Sequence, residues 1–296
     1  MKYMDYTLKN ECLEVRFTTK GGTLTSIKDC KGTEYLWQGD AKYWSGQAPV
    51  LFPICGSIRD DRAKTLDGKE LAMPRHGIVR KEEFMMERIT QDEIIFSIEN
   101  TGKMLNQFPY PFRLYAKFRL EEDTVRVTYA VENTGDTRMP FFIGGHPGFR
   151  CPLDEGEDYS DYQIVFEKAE YCTIPTPVTE TGLIDMEHRT CILKREKCLG
   201  LEHSLFHKDA VILDELESRK VRFCHKEKDK GIELAFEQFP YLILWSTAND
   251  GPFVAMEPWS GLSTCSDEDD VLEHKRNVSF AEPGETKEFT YTISIL

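Results

Sequence analysis

The sequence predicts an all-β protein, a large antiparallel β-sandwich with few short helices, and three observations carry that expectation. Apolar and polar residues alternate with a period of two in Glu11–Phe17, Ile94–Glu99, Arg113–Leu120, Thr124–Val131 and Glu288–Ile295, the periodicity of strands with one face in a core and one in water. Turn-forming clusters separate such runs, at Lys20-Gly21-Gly22, Asp67-Gly68, Asn133-Thr134-Gly135 and Pro283-Gly284. Helical periodicity is sparse.

Within Thr124–Val131, the residues Val125, Val127, Tyr129 and Val131 fall on one face, while Arg126, Thr128 and Ala130 fall on the other, as a half-buried antiparallel strand requires. The best helix candidate is the acidic tract Ser266–His274, where Ser266 would cap a short helix with Asp267, Glu268 and Asp269 in its first turn. Its charge run reads as a solvated surface. No repeat, linker or compositional break divides the chain, which predicts one domain over residues 1–296.

Composition narrows the function. With 40% hydrophobic residues, 18 Phe, 12 Tyr and 4 Trp, the chain can bury a sizeable core. A net charge of -14, from 51 acidic against 37 basic residues, repels phosphate backbones and anionic lipid, so neither nucleic acid nor membrane is expected as a partner. The N-terminal residues MKYMDYTLKNECLEV contain no apolar run, and the most apolar stretch, Leu234–Thr247, is interrupted by Glu237, Gln238 and Pro240. Nine cysteines are scattered without CxxC or CxxH spacing, which signals neither a disulfide framework nor a zinc site and fits a cytoplasmic protein; the sequence leaves both a monomer and a homodimer open. Asn277-Val278-Ser279 matches a glycosylation acceptor only by chance on that reading.

Five segments combine rigid turn residues with ionisable side chains. Pro49–Arg59 is an apolar strand that breaks at Gly56 and delivers Arg59, whose planar fork suits sugar hydroxyls or a phosphate as well as it suits a surface ion pair. Met73–Arg80 brackets His76 between Pro74 and Gly77; a lone histidine is more often a satisfied turn residue. Gly144–Phe149 surrounds His146 with three glycines and Pro147, which would hold the imidazole in one orientation. Leu205–Leu213 puts Asp209 just before an apolar run, where it can accept sugar hydroxyls or serve a turn. Gly251–Gly261 ends an apolar strand on Glu257, followed by Pro258 and Trp259. Burial there would raise the carboxyl pKa towards that of a general base, and Trp259 offers a face for a pyranose to stack on.

Together these segments resemble the aldose 1-epimerase (galactose mutarotase-like) family, most closely its LacX-like branch. The most specific elements are WSTANDGPFVAMEPWSG at 245–261, FFIGGHPGF at 141–149 and MPRHGIVR at 73–80, supported by FPYPF at 108–112 and the closing EPGETKEFTYTISI. The resemblance implies a galactose mutarotase-like supersandwich and interconversion of the α and β anomers of an aldose, without metal or redox cofactor. It assigns Glu257 as catalytic base and His146 as catalytic acid; that pairing calls for a neighbouring carboxylate to raise the pKa of His146, and Asp209 is the candidate for it. Substrate binding falls to His76, to Asp209 with Asp214 as the alternative, and to Arg59. Relatives acting on hexose 6-phosphates carry an arginine at the place of Arg80, so a hexose-6-phosphate 1-epimerase is the second expectation. A non-catalytic carbohydrate-binding or sensing protein is the third.

Overall fold

The computed structural model describes residues 3–296. The alternating runs become strands of one antiparallel sheet. Its nine members, in spatial order, are Leu183–Gly200, Tyr162–Val178, Lys220–His225, Gly231–Ala235, Thr286–Ile295, Thr124–Asn133, Phe112–Glu121, Glu93–Glu99 and Met85–Ile89. Val127 lies opposite Phe118 on one side and Tyr291 on the other, and Val125, Val127, Tyr129 and Val131 are all buried as their spacing predicts. Asp5–Lys9, Leu13–Thr18 and Thr23–Asp29 form a separate three-stranded sheet.

A further sheet positions the candidate site. It orders Val211–Leu213, Tyr241–Trp245, Phe253–Trp259, Gly144–Gly145 and Val50–Leu51, with Gly148–Arg150 also paired to Phe253–Trp259. Aromatic side chains fill the space between it and the nine-stranded sheet: Phe52 packs on Phe112 at 4.8 Å and on Phe141 at 6.1 Å between ring centres. Tyr291 of the nine-stranded sheet reaches Gly145, where a Cβ would sit 2.7 Å from the phenol oxygen. The glycines around His146 therefore belong to short strands and serve close approach, not the irregular turn their composition suggests.

Three other features depart from the sequence reading. Ser266–His274 is not a helix, and only Leu272–His274 makes a single 3-10 turn. Glu268 turns inward instead, its carboxylate accepting from the Cys265 N–H at 3.0 Å, the Arg276 N–H at 3.0 Å and Lys275 Nζ at 2.9 Å. Side-chain to backbone bonds of this kind compete with helix formation, so part of the charge run is a buried clasp. Among the described residues the one α-helix lies at Gly102–Gln107, where Thr101 Oγ1 accepts from the Met104 N–H at 3.2 Å. The hairpin Tyr162–Val178/Leu183–Gly200 is the third, since repeated register shifts along it erase the period-two signal. No helix among the described residues is long and apolar enough to cross a membrane.

Candidate active site

Alternation along Phe253–Trp259 sends Ala255, Glu257 and Trp259 to one face. Across the ladder Trp245 lies opposite Ala255, Ile243 opposite Glu257 and Tyr241 opposite Trp259. On the other side Gly144 pairs with Trp259, and Gly148 pairs with Ala255. His146 is held between these two pairings, its backbone N–H bonded to the Pro49 carbonyl at 3.2 Å. The same face thus presents His146 and Glu257 to one cavity of about 340 Å³, with Trp44, Arg75, His76, Arg80, Asp209 and Trp259 around them.

The centre of the cavity is a single contact. His146 Nε2 stands 3.2 Å from Glu257 Oε2, with His146 7% and Glu257 1% exposed. Burial pushes the Glu257 carboxyl well above its ordinary range, opposed by the Arg75 charge and by the Trp259 Nε1–H, which donates to Oε2 at 3.1 Å. Burial likewise pushes the His146 imidazole down to about 3. Burial disfavours charge on either group alone, so the two form one hydrogen-bonded acid–base unit whose shared proton lies on Glu257 or on His146 Nε2.

His146 Nδ1 is buried without a hydrogen-bond partner among the described residues. The ring is instead fixed by its packing. Trp44 lies across it at 4.8 Å and 33°, Trp245 meets it edge-on at 5.5 Å, and His76 meets it edge-on at 5.5 Å.

His76 owes its place to backbone strain. It has φ of 68°, and Gly77 after it has φ of 78°, at a point where a Cβ would fall 2.0 Å from the Phe52 carbonyl oxygen. Asp209 also has a left-handed φ, 96°. Non-glycine residues adopt such angles only where surrounding structure compels them, and they gather at functional sites.

Of the residues singled out from sequence, His146, Glu257, His76, Asp209, Arg80 and Trp259 meet in this cavity, and Arg59 and Asp214 do not. Arg59 Nε bonds Asp270 at 3.0 Å in a different surface hollow. The left-handed backbone of Asp60 and Asp61 turns the chain just past the broken strand. Asp214 is held by both terminal nitrogens of Arg189 at 3.0 and 2.7 Å, which satisfies it as structure. Asp209 does not charge His146: its nearest cation is Arg75, with Nη1 at 3.8 Å, and the carboxylate beside His146 is Glu257. Trp259 is only 4% exposed, so it steadies Glu257 instead of offering an open stacking face. Sequence reasoning missed Trp44, Arg75 and Trp245. Arg75 is adjacent to His76, and in an extended strand neighbours diverge; only the left-handed turn at His76 brings the two side chains together.

Against this geometry, the aldose 1-epimerase family model matches residues 4–290. The chain belongs to the aldose 1-epimerase family. It is 47% identical to the chromosomal protein LacX of Lactococcus lactis subsp. lactis, over 99% of this chain and 100% of that one. Solved structures agree: a galactose mutarotase related enzyme from Lactobacillus acidophilus superposes with a TM-score of 0.92 at 27% identity, covering 99% of this chain and 97% of that one. A galactose mutarotase-like protein from Lactobacillus casei gives 0.91 at 25% identity, covering 99% and 100%. Membership in the aldose 1-epimerase family supports a carbohydrate epimerase or mutarotase type of function and a sugar as substrate.

Proposed function

We propose that this protein interconverts the α and β anomers of an aldose, with Glu257 as base and His146 as acid. The observation that carries the reading is the buried Glu257–His146 contact of 3.2 Å at the centre of a cavity ringed by hydrogen-bonding side chains. A sugar that sets O1 against Glu257 and O5 against His146 Nε2, in place of their mutual contact, finds an acceptor for one proton and a donor for another. Glu257 takes the proton from the O1 hydroxyl as C1 becomes a carbonyl. The C1–O5 bond breaks with its electron pair on O5, which receives the proton of His146 Nε2. Rotation about C1–C2 and the reverse transfers close the ring on the other face.

Desolvation of both groups bears on this cycle. Ring opening draws on the form of the unit with the shared proton on His146 Nε2 and leaves Glu257 and His146 both neutral, which a buried site prefers. Arg75 and Trp259 oppose burial at Glu257, which keeps the carboxylate accessible at the start. Each positioned proton transfer contributes about 10²- to 10⁴-fold. Glu257→Gln should remove catalysed anomer exchange while sugar binding persists. Exchange rates are read by NMR magnetisation transfer between anomers, and wild-type exchange in that variant overturns the assignment.

A second reading, a hexose-6-phosphate 1-epimerase, is favoured by Arg80. This half-buried guanidinium has no carboxylate partner among the described residues, and burial and the Arg75 charge both press on its cation. It joins the cavity to an adjoining hollow lined by Lys20 and Lys81 and by no described carboxylate. Glucose 6-phosphate compared with glucose, on the wild type and Arg80→Ala, decides between the readings: only a phosphosugar enzyme loses preference for the phosphate in that variant.

A further inference from the structure

The hydrogen bonds of His76 do not close. Its Nδ1 lies 3.2 Å from the Gly56 N–H, and its Nε2 lies 3.3 Å from the Arg75 Nε–H. A neutral imidazole has one N–H and one lone pair, and burial keeps this ring neutral, with the charges of His146, Arg75 and Arg80 acting in the same direction. Two donors therefore compete for one acceptor.

The backbone decides which is satisfied. His76 N–H bonds the Gly56 carbonyl at 2.7 Å, so Gly56 and His76 are tied in both directions and Nδ1 must be the acceptor. The imidazole proton then sits on Nε2 and faces another N–H, that of Arg75. No other side chain among the described residues accepts a hydrogen bond from Arg75, whose side chain is 42% exposed. Its Nη1 is 3.8 Å from Asp209 Oδ2, beyond hydrogen-bonding range, while Asp209 Oδ1 accepts from the Ala210 N–H at 2.9 Å. Arg75 is thus a guanidinium lining the cavity, and its Nε–H meets the Nε2–H of His76 with no protein acceptor shared between them.

We propose that Arg75 is a substrate-positioning residue that, with His76, receives one sugar oxygen between its Nε–H and the imidazole Nε2–H. The proposal rests on the mutarotase reading above for the orientation of the sugar towards Glu257, and it assigns the positioning arginine to residue 75 in place of residue 59. An oxygen at that spot relieves the meeting of two donors, and Asp209 can accept the proton of a neighbouring hydroxyl. Vicinal hydroxyls of an aldopyranose supply that pattern of an acceptor beside a donor. The tip of the long hairpin, through Pro177 and Gly182, borders Arg75 and Asp209 in a smaller adjoining hollow and so limits where the guanidinium can move.

The test uses the full chain with D-glucose and D-galactose as probes. Saturation-transfer NMR reads binding, and magnetisation transfer reads exchange, in the wild type, Arg75→Ala, Arg75→Gln, Arg75→Lys, Glu257→Gln and Arg59→Ala. Expected is a rise of at least about tenfold in KM for Arg75→Ala and Arg75→Gln, with weakened saturation transfer. Partial recovery follows in Arg75→Lys, which keeps the charge but not the fork. Arg59→Ala should match the wild type. Binding and KM within twofold of wild type in both neutral Arg75 variants overturn the proposal. Because Glu257→Gln is scored for exchange and Arg75 for binding, failure of the acid–base reading shows as undiminished exchange in the former alone.

Discussion

Asp209 and Asp214 stand on either side of the short strand Val211–Leu213, each facing an arginine, and they are treated oppositely. Asp214 is gripped by Arg189 through two bonds of 2.7 and 3.0 Å, while Arg189 also bonds Thr173 Oγ1 at 2.8 Å and the Thr173 carbonyl at 2.8 Å. Asp209 is left 3.8 Å from Arg75 on a strained backbone. The difference teaches that this fold grips the acid that braces it with a hydrogen-bonded cation and leaves the acid that faces the cavity without one. Residue type and strand position do not distinguish the two acids. Their surroundings do.

The contrast is broken most severely at the braced pair. Arg189→Ala leaves a carboxylate that is 7% exposed without its cation, and losing one partner of a buried pair costs about 3 kcal/mol. Urea unfolding should show that loss, with anomer exchange per folded molecule unchanged. A large loss of exchange with unaltered stability would reverse the assignment of the two acids.

At the cavity the sign inverts. Glu257→Gln removes a buried carboxylate whose ionisation burial opposes, so the variant should unfold at higher urea concentration, by about 1 kcal/mol at neutral pH, despite losing exchange. The folded-state pKa lies above the unfolded value of 4.5, so the destabilisation is absent below that pH, grows as pH rises past it, and levels off beyond the folded-state value. The advantage of the variant should therefore vanish in acid. His146 acts at the acidic side: its pKa falls from 6.5 to about 3 on folding. The unfolded chain binds that proton first, stability drops as pH falls from 6.5 towards 3, and His146→Asn should flatten that limb of the urea midpoint against pH.

The smallest effect belongs to Arg59. Its bond to Asp270 joins side chains that are 38% and 49% exposed, and exposed pairs contribute about 0.2–1 kcal/mol. Arg59→Ala should leave the unfolding midpoint nearly unmoved.

What was legible in the sequence follows the range of each signal. Thr124–Asn133 and Thr286–Ile295 could be read because one face of each is core and the other water. The hairpin at Tyr162–Val178 could not, because its register slips, and neither could the short paired strands around His146, whose glycines carry no alternation. His146 and Glu257 were visible through the motifs around them. Their contact was not, since it depends on Gly144 and Trp259 being ladder partners far apart in the chain. Arg75 was hidden by the left-handed turn at its neighbour, which no periodicity encodes.

The crowding of indoles around this cavity has an optical consequence. Of the 4 tryptophans, Trp44, Trp245 and Trp259 line it, and Trp37 stacks on Phe253 at 4.9 Å, a ring that Trp44 and Trp245 also touch. One of these indoles lies tilted across the imidazole of His146 and another donates its N–H to Glu257. The tryptophan emission of the molecule therefore originates in and beside one chamber, and a colourless sugar that enters it becomes its own titration signal without any attached dye.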